Sequence, residues 1–473
     1  MSLYDFPVYA KCKNETAPDK LGLAVLKCIA KFIGLDRAIA YTLLARFWTM
    51  SAGIISLLVI TKYLSASEQG FYYTFFSIIA LQIFFELGVG TIVVQFQSHE
   101  MAHLSWGSKG TLEGNKIALS RFRSLFLFHA KWYAAIALLL VIIVLPIGMV
   151  FFVQDIKNSV EVSWQAPWVC LILATALNML ISPAFSIFES GGRVEEVARV
   201  RMFSAVVASL VGWLMLVSGF GLFSLAGSTL ASIVCSLIWL HSGKLIVLRK
   251  LLTEDLTSAR VSWVNEIWPF QWKISISWMS GYLIFQLFVP VIFSLQGAVE
   301  AGKMGMILSI ATAITAIPMA WINTKIPTFG SLIAKHRFSE LDSLFFIALR
   351  QSLGLMAFLA ISFLVADYVA NSFELKIAHR LPGPLSVAFL MLASTINYFV
   401  YAQSVYLRAH KEEPFLYPSL VLGVVVGIST WLVAEKYGVT GVSFSYCLAT
   451  SLIAFPWCTW IFFSKRKAWH ESR

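Results

Sequence analysis

The chain has 473 residues, 58% of them hydrophobic, 14% aromatic and only 13% charged, with a mean hydropathy of +0.77. A soluble core of this length cannot hide that much apolar surface, which excludes an ordinary soluble enzyme and points to an all-α polytopic membrane protein. The net charge of +11 calls for no nucleic-acid partner, because most basic residues fall in loops on one side of the expected membrane.

Residues 1–39 are polar and basic and carry no cleavable signal pattern, so the first long apolar run is expected to stay as a membrane helix. Within this cytoplasmic arm, Leu21, Ala24, Val25, Cys28, Ile29 and Phe32 form one stripe over 20–33, with Lys20, Lys27 and Lys31 off it. Such a segment lies along a membrane surface, in contact with lipid.

Twelve apolar stretches follow, near 40–61, 70–97, 126–152, 164–189, 200–218, 221–243, 268–294, 302–324, 345–366, 385–407, 415–434 and 440–463. Each approaches or exceeds the roughly 20 residues needed to cross hydrocarbon as a helix. A linker at 244–267 separates six from six, and its Leu251, Leu252, Val261, Val264 and Ile267 repeat the surface-helix pattern weakly. Six is even, so the lobes 40–243 and 268–463 enter from the same side as parallel units around a central cleft, and 464–473 is a basic tail.

Internal repetition supports two copies of one module. Glu68-Gln69-Gly70 followed by Ser77-Ile78 returns as Glu300-Ala301-Gly302 followed by Ser309-Ile310. Glu195-Glu196 and Gly221 return, at one offset, as Glu412-Glu413 and Gly438.

Orientation follows from the loops. Counting the arm, alternate loops and tail puts roughly 26 Lys and Arg on one side. The other side has Lys62, Lys157, Lys303, Lys376, Arg380 and Lys436. The richer side is expected to be cytoplasmic, with both termini inside.

Six cysteines give no paired spacing that suggests a disulfide framework or a metal site. His99-Glu100-Met101-Ala102-His103 matches the zinc-protease pattern H-E-x-x-H, but Trp106 and Lys109 stand where one class of such enzymes needs Gly and His. A polar helix end explains the match better, and neither a metal nor a catalytic role is expected.

Charges inside the spans carry more information. Arg46, Lys131, Lys273 and Arg350 fall in the first, third, seventh and ninth stretches, two per half and in corresponding helices. Buried in a bundle, such cations line a wet cavity that suits an anionic, phosphate-bearing substrate. Near a helix end they can instead snorkel to lipid headgroups. Glu86 reads either as the counter-ion of Arg46 or as a protonatable coupling site, and His129 either titrates near neutral pH or is interfacial. Pro146, Gly148, Pro183, Pro290 and Pro318 are candidate kinks.

Leu44-Ala45-Arg46-Phe47-Trp48, Leu64 through Tyr72, Gly191-Gly192-Arg193, Leu407-Arg408-Ala409-His410-Lys411 and Glu435 through Gly441 resemble the polysaccharide-exporter, or O-antigen flippase, branch of the multidrug/oligosaccharidyl-lipid/polysaccharide (MOP) exporter superfamily. The resemblance covers about 36–465. It implies two six-helix lobes that open alternately and pass an undecaprenyl-pyrophosphate-linked oligosaccharide from the inner to the outer leaflet of the bacterial cytoplasmic membrane. It further implies a cationic cleft with Arg46 the closest match, and other polysaccharide-assembly proteins as partners; no cofactor is expected, and since no residue matches a recognised ion site, a coupling ion, H+ or Na+, is left open. A multidrug antiporter of the same superfamily, a facilitator-type transporter and a membrane polysaccharide polymerase or ligase are the alternatives. The first should have an acidic cleft. The second usually carries a Gly-x-x-x-Asp-Arg-type run where this chain has Gln97-Ser98-His99-Glu100-Met101, and the third typically needs a longer outer loop than 367–384.

Overall fold

The computed structural model describes residues 37–107, 110–153, 162–253, 259–410 and 412–471, so the surface helix expected at 20–33 lies outside the described residues. The described chain is almost wholly helical. The first half comprises α1 (Arg37–Tyr63), α2 (Ala66–Glu86), α3 (Val89–Met101), α4 (Lys116–Val153), α5 (Gln165–Ser190), α6 (Val194–Val217) and α7 (Phe223–His241). A two-stranded antiparallel hairpin, β1 (Leu104–Trp106) and β2 (Leu112–Gly114), joins α3 to α4.

In the linker, α8 (Leu245–Thr253) buries Val247 and Leu251 and keeps Arg249 accessible, whereas Leu252 is exposed and Val261, Val264 and Ile267 of the expected pattern lie beyond this helix. The second half comprises α9 (Trp268–Phe285), α10 (Phe288–Gln296), α11 (Ala298–Asn323), α12 (Ile326–Ala334), α13 (Phe338–Ser372), α14 (Pro384–Ala409) and α15 (Leu416–Trp469).

Eight of the described helical runs are long and apolar enough to cross a membrane unbroken, and two bent pairs, α2–α3 and α9–α10, bring the total to ten against the twelve expected. Two features account for the difference. The apolar part of α1, Phe47–Tyr63, is short, and the last two expected spans run together as α15. Within α15, Gly438 leaves the helical region at φ 54°, ψ −146°. Gly221, its counterpart between α6 and α7, has φ +52°. The repeated glycine therefore has a positive φ in both halves, which glycine adopts at little cost.

Ion pairs repeat as well. Glu196 at the start of α6 binds Lys244 just beyond α7 at 2.7 Å, and Trp239 donates to it at 3.0 Å. Glu412 and Glu413 before α15 bind Lys465 and Arg408, each at 2.6 Å.

Helix irregularities follow proline. Three π-turns, at Leu140–Val144, Trp263–Ile267 and Thr450–Ala454, each end two residues before Pro146, Pro269 or Pro456. A proline clashes with the carbonyl four residues earlier and offers it no N–H, and a widened turn relieves both problems. The 40° bend between α9 and α10 falls at Gln286-Leu287, where Pro290 withholds the N–H that Gln286 would have accepted. Pro183 and Pro318 lie inside unbroken helices.

The largest apolar core runs across both halves, with Phe71, Phe152 and Phe293 in edge-to-face contact. Smaller cores belong to one half each: Phe122, Phe126, Phe188 and Trp239 in the first, and Phe329, Phe345, Tyr406 and Phe462 in the second.

Candidate functional site

The two halves meet along α2–α3 on one side and α9–α11 on the other, and the seam is built from the repeated sequence itself. Glu68 closes a capping box with Ser65, accepting from the Ser65 N–H at 2.7 Å while its own N–H donates to Ser65 Oγ at 3.1 Å, so α2 begins sharply. Two residues on, Gly70 lies against Gly302 of the second copy. A Cβ on Gly302 would sit 2.9 Å from Gly70 N, and one on Gly70 would run into the carbonyl of Ala298. Gly305 likewise has no room for a Cβ beneath Tyr73. Small residues let the two backbones touch, as in tightly packed membrane helices generally.

A clamp holds this crossing. Arg380, from the loop before α14, donates to Leu64 O at 2.7 Å and to Gln69 Oε1 at 3.4 Å, and Gln69 Nε2 donates to Gly302 O at 3.0 Å.

Towards the basic end, the seam passes from α11 to α9. Leu87 and Gly88 both take left-handed backbone angles, φ 49° and 69°, and the chain bends by 44° between α2 and α3. The Leu87 carbonyl released by this break accepts from Gln271 Nε2 at 3.2 Å and lies 3.0 Å from Ser275 Oγ, both on α9. Beside these contacts, Leu87, Trp268, Trp272, Ser275, Ile276 and Met279 line an apolar hollow of about 480 Å³.

Ahead of α9, Trp263 packs on Phe128 and Trp132 of α4 with centroids 4.0 and 5.1 Å away. Arg121 joins Glu100 of its own half to Glu266 of the linker, each at 2.7 Å, and its guanidinium holds the Glu266 carboxyl below the usual range.

The residues expected to form a cationic pocket stand as follows. Arg46 lies on α1, but its side chain is outside the described residues. Lys131, Lys273 and Arg350 are exposed on α4, α9 and α13, and none has an ion-pair partner among the described residues. Lys273 Nζ lies 5.8 Å from the Trp272 ring centroid. No described contact brings the three together.

His129 corrects the expectation of an interfacial histidine. Helix α4 begins at Lys116, not near residue 126, so His129 sits well inside it and is 1% exposed. The apolar-run criterion missed the first turns because Lys116, Arg121 and Arg123 break up the hydropathy there. His129 Nδ1 is 3.2 Å from Ser186 Oγ, its ring meets Tyr133 edge-on at 4.5 Å, and Nε2 has no hydrogen-bond partner among the described residues. Tyr133 in turn interacts with Glu86. Glu86, Tyr133, His129 and Ser186 thus adjoin one another through α2, α4 and α5 beside the break, with Glu86 half-buried and the other three buried.

The H-E-x-x-H match is split by structure. Helix α3 ends at Met101, leaving His103 beyond it, and Glu100 is taken by Arg121. Among the described residues no group of three His, Cys, Asp or Glu is placed to hold a metal.

Sequence reasoning missed Gln271 and Ser275, and gave Gln69 and Arg380 no role at the seam, naming one only within the repeat and the other only in the charge count. Arg380 had a signal, as one of few basic residues on its side. The neutral polar residues had none, since their importance depends on which backbone group they meet.

No protein-family model matches this sequence, and no curated protein does. Solved structures do match over nearly the whole chain. An inward-facing multidrug resistance MATE family transporter of the MOP superfamily superposes with TM-score 0.63 at 13% identity, covering 92% of this chain and 100% of its own. The MATE multidrug transporter DinF-BH gives 0.58 at 13%, covering 91% and 95%. The lipid II flippase MurJ, in an inward closed conformation, gives 0.58 at 12%, covering 91% and 90%. At these identities it is the fold that is shared: this chain is a multi-pass membrane protein with the architecture of the MOP-superfamily transporters.

Proposed function

We propose that the protein is an alternating-access flippase that carries an undecaprenyl-pyrophosphate-linked oligosaccharide, a polysaccharide or O-antigen repeat unit, from the inner to the outer leaflet of the bacterial cytoplasmic membrane, with both termini cytoplasmic. The observation that carries this reading is the set of membrane-helix cations Lys131, Lys273 and Arg350, exposed and without acidic partners among the described residues. An unpaired cation on a membrane helix is costly unless it faces water or an anion. A pyrophosphate headgroup supplies the anion, and a wet cleft supplies donors in place of the water that the glycan loses.

The apolar hollow beside Leu87, with Trp268 and Trp272 on its wall, suits a polyprenyl chain that stays in the bilayer while the headgroup crosses. Glu86 and His129 are the groups proposed to take a coupling proton; Na+ is the other candidate ion. Other polysaccharide-assembly proteins are proposed partners.

The test is a deletion strain analysed for lipid-linked intermediates by leaflet. Accumulation on the cytoplasmic side supports the reading. Normal surface glycan in a strain without a substituting paralogue overturns it, and loss of drug efflux instead would favour the multidrug alternative.

A further inference from the structure

A helix that breaks inside hydrocarbon must find partners for every backbone group it releases. At Leu87-Gly88 these partners are named side chains. Trp132 Nε1 donates to Phe85 O at 3.2 Å, and the Tyr133 hydroxyl lies against Gly90. Both belong to α4, in the same half as the break, and move with it. The Leu87 carbonyl differs. Its donors, Gln271 Nε2 at 3.2 Å and Ser275 Oγ at 3.0 Å, come from α9 in the other half. The Ser275 hydroxyl has one proton and also lies 2.9 Å from Gln271 O, so Gln271 is the fuller donor. Gln271 is 0% exposed and Ser275 5%, so both donors are buried against the break.

The break has little of its own to hold it. It contains no proline, and Leu87 is a non-glycine residue in the left-handed region, a conformation that a branched side chain disfavours. In a continuous helix the Leu87 carbonyl would accept from the amide of Thr91.

We propose that the α2–α3 bend and the docking of α9 are one switch. With α9 seated, Gln271 and Ser275 cap Leu87 and the bend is held. When α9 withdraws, the carbonyl is orphaned, and α2 and α3 join into a straight helix in which Thr91 satisfies it. The same helix carries Gly70 against Gly302 at its other end. Straightening therefore moves the α2–α11 crossing, and departure of α9 at the basic end is relayed to the opposite seam. This inference does not depend on what the protein carries.

The test uses the full chain in nanodiscs with its native cysteines replaced by serine and spin labels at Phe76→Cys and Ser98→Cys, exposed positions on either side of the break. Electron–electron distance distributions separate bent from straight populations. Gln271→Leu and Ser275→Ala are each expected to raise the straight-to-bent ratio, Gln271→Leu by about tenfold, the effect of losing one donor to a buried carbonyl. Ser275→Ala, which removes a single atom, keeps the test open if the larger change impairs folding.

Tyr282→Phe is the control. Tyr282 donates to Ser77 O at 3.1 Å across the same seam but away from the break, and its loss is expected to leave the bend unchanged. An unchanged distribution in both Gln271→Leu and Ser275→Ala overturns the proposal. So does straightening in Tyr282→Phe equal to theirs, which would make general loosening of the seam the cause.

Discussion

Gly302 lies across Gly70, each occupying the third position of one copy of a repeated triad, so a duplicated sequence element packs against its own duplicate at the seam between the halves. The contact joins backbones, with no side chain between them. Duplication supplies it cheaply, because a glycine retained in both copies provides both faces of a close crossing.

A side chain at either glycine is expected to wedge the seam open. For Gly70→Ala the obstacle is the Ala298 carbonyl, part of a helix backbone that cannot yield as a flexible side chain would. Overpacking of this kind costs about 1–3 kcal/mol. A lowered melting temperature should accompany faster reaction of Ala298→Cys, buried in the parent chain, with a membrane-impermeant maleimide. An unreactive cysteine beside an unchanged melting temperature would show that the crossing tolerates a Cβ.

Arg380→Ala removes the clamp without touching the crossing. The guanidinium holds Leu64 O and Gln69 Oε1 together, and charge-assisted bonds of this type contribute about 1.5–3 kcal/mol each where they are shielded from water. Arg380 is only partly shielded, so the lower figure applies, equivalent to roughly a tenfold rise in the open population by the same maleimide assay. Arg380→Lys is expected to fall between the two, since an ammonium cannot present a planar fork to two acceptors at once.

The helical membrane class was legible in the sequence because it depends on hydropathy alone, and the repeat picked out Gly221 and Gly438, whose positive φ it did not foretell. The meeting of Gly70 with Gly302 was not legible, since a repeat gives a period along the chain and says nothing of which copies touch. Of the three prolines that follow π-turns, only Pro146 was among the candidate kinks, and Pro269 and Pro456 were not singled out. The bend at Leu87 had no mark at all, because the groups that meet it, Trp132, Tyr133, Gln271 and Ser275, come from distant segments. His129 was misjudged for a related reason: charged first turns of α4 hid the true start of the helix from a count of apolar residues.

The repeated acidic pairs give a contrast in magnitude. Glu196 and Lys244 have side chains only 20% and 18% exposed, whereas Arg408 and Glu413 are 51% and 43% exposed. A double-mutant cycle on Glu196→Gln and Lys244→Met should give a coupling above about 1 kcal/mol, with the amide oxygen introduced by Glu196→Gln still able to accept from Trp239. The same cycle on Arg408 and Glu413 should give less than about 1 kcal/mol and vanish in high salt. Equal couplings would mean that burial does not decide the strength of these staples.

The membrane-helix cations bear on what is carried. If Arg46, Lys131, Lys273 and Arg350 hold phosphate in a shared cleft, replacing any one by alanine removes a charge-assisted contact and lowers transport by about tenfold or more. Thermal stability should hold or rise, because Lys131, Lys273 and Arg350 lose no ion pair among the described residues. Lys↔Arg exchanges should retain transport at Lys131 and Lys273, where a point charge suffices, and lose more of it at Arg350, where a fork would have been read bidentately. Leaflet-resolved transport of a polyprenyl-pyrophosphate oligosaccharide in proteoliposomes provides the measurement. Transport indifferent to all four alanines would assign these side chains to lipid headgroups, and the flippase reading would lose its physical support.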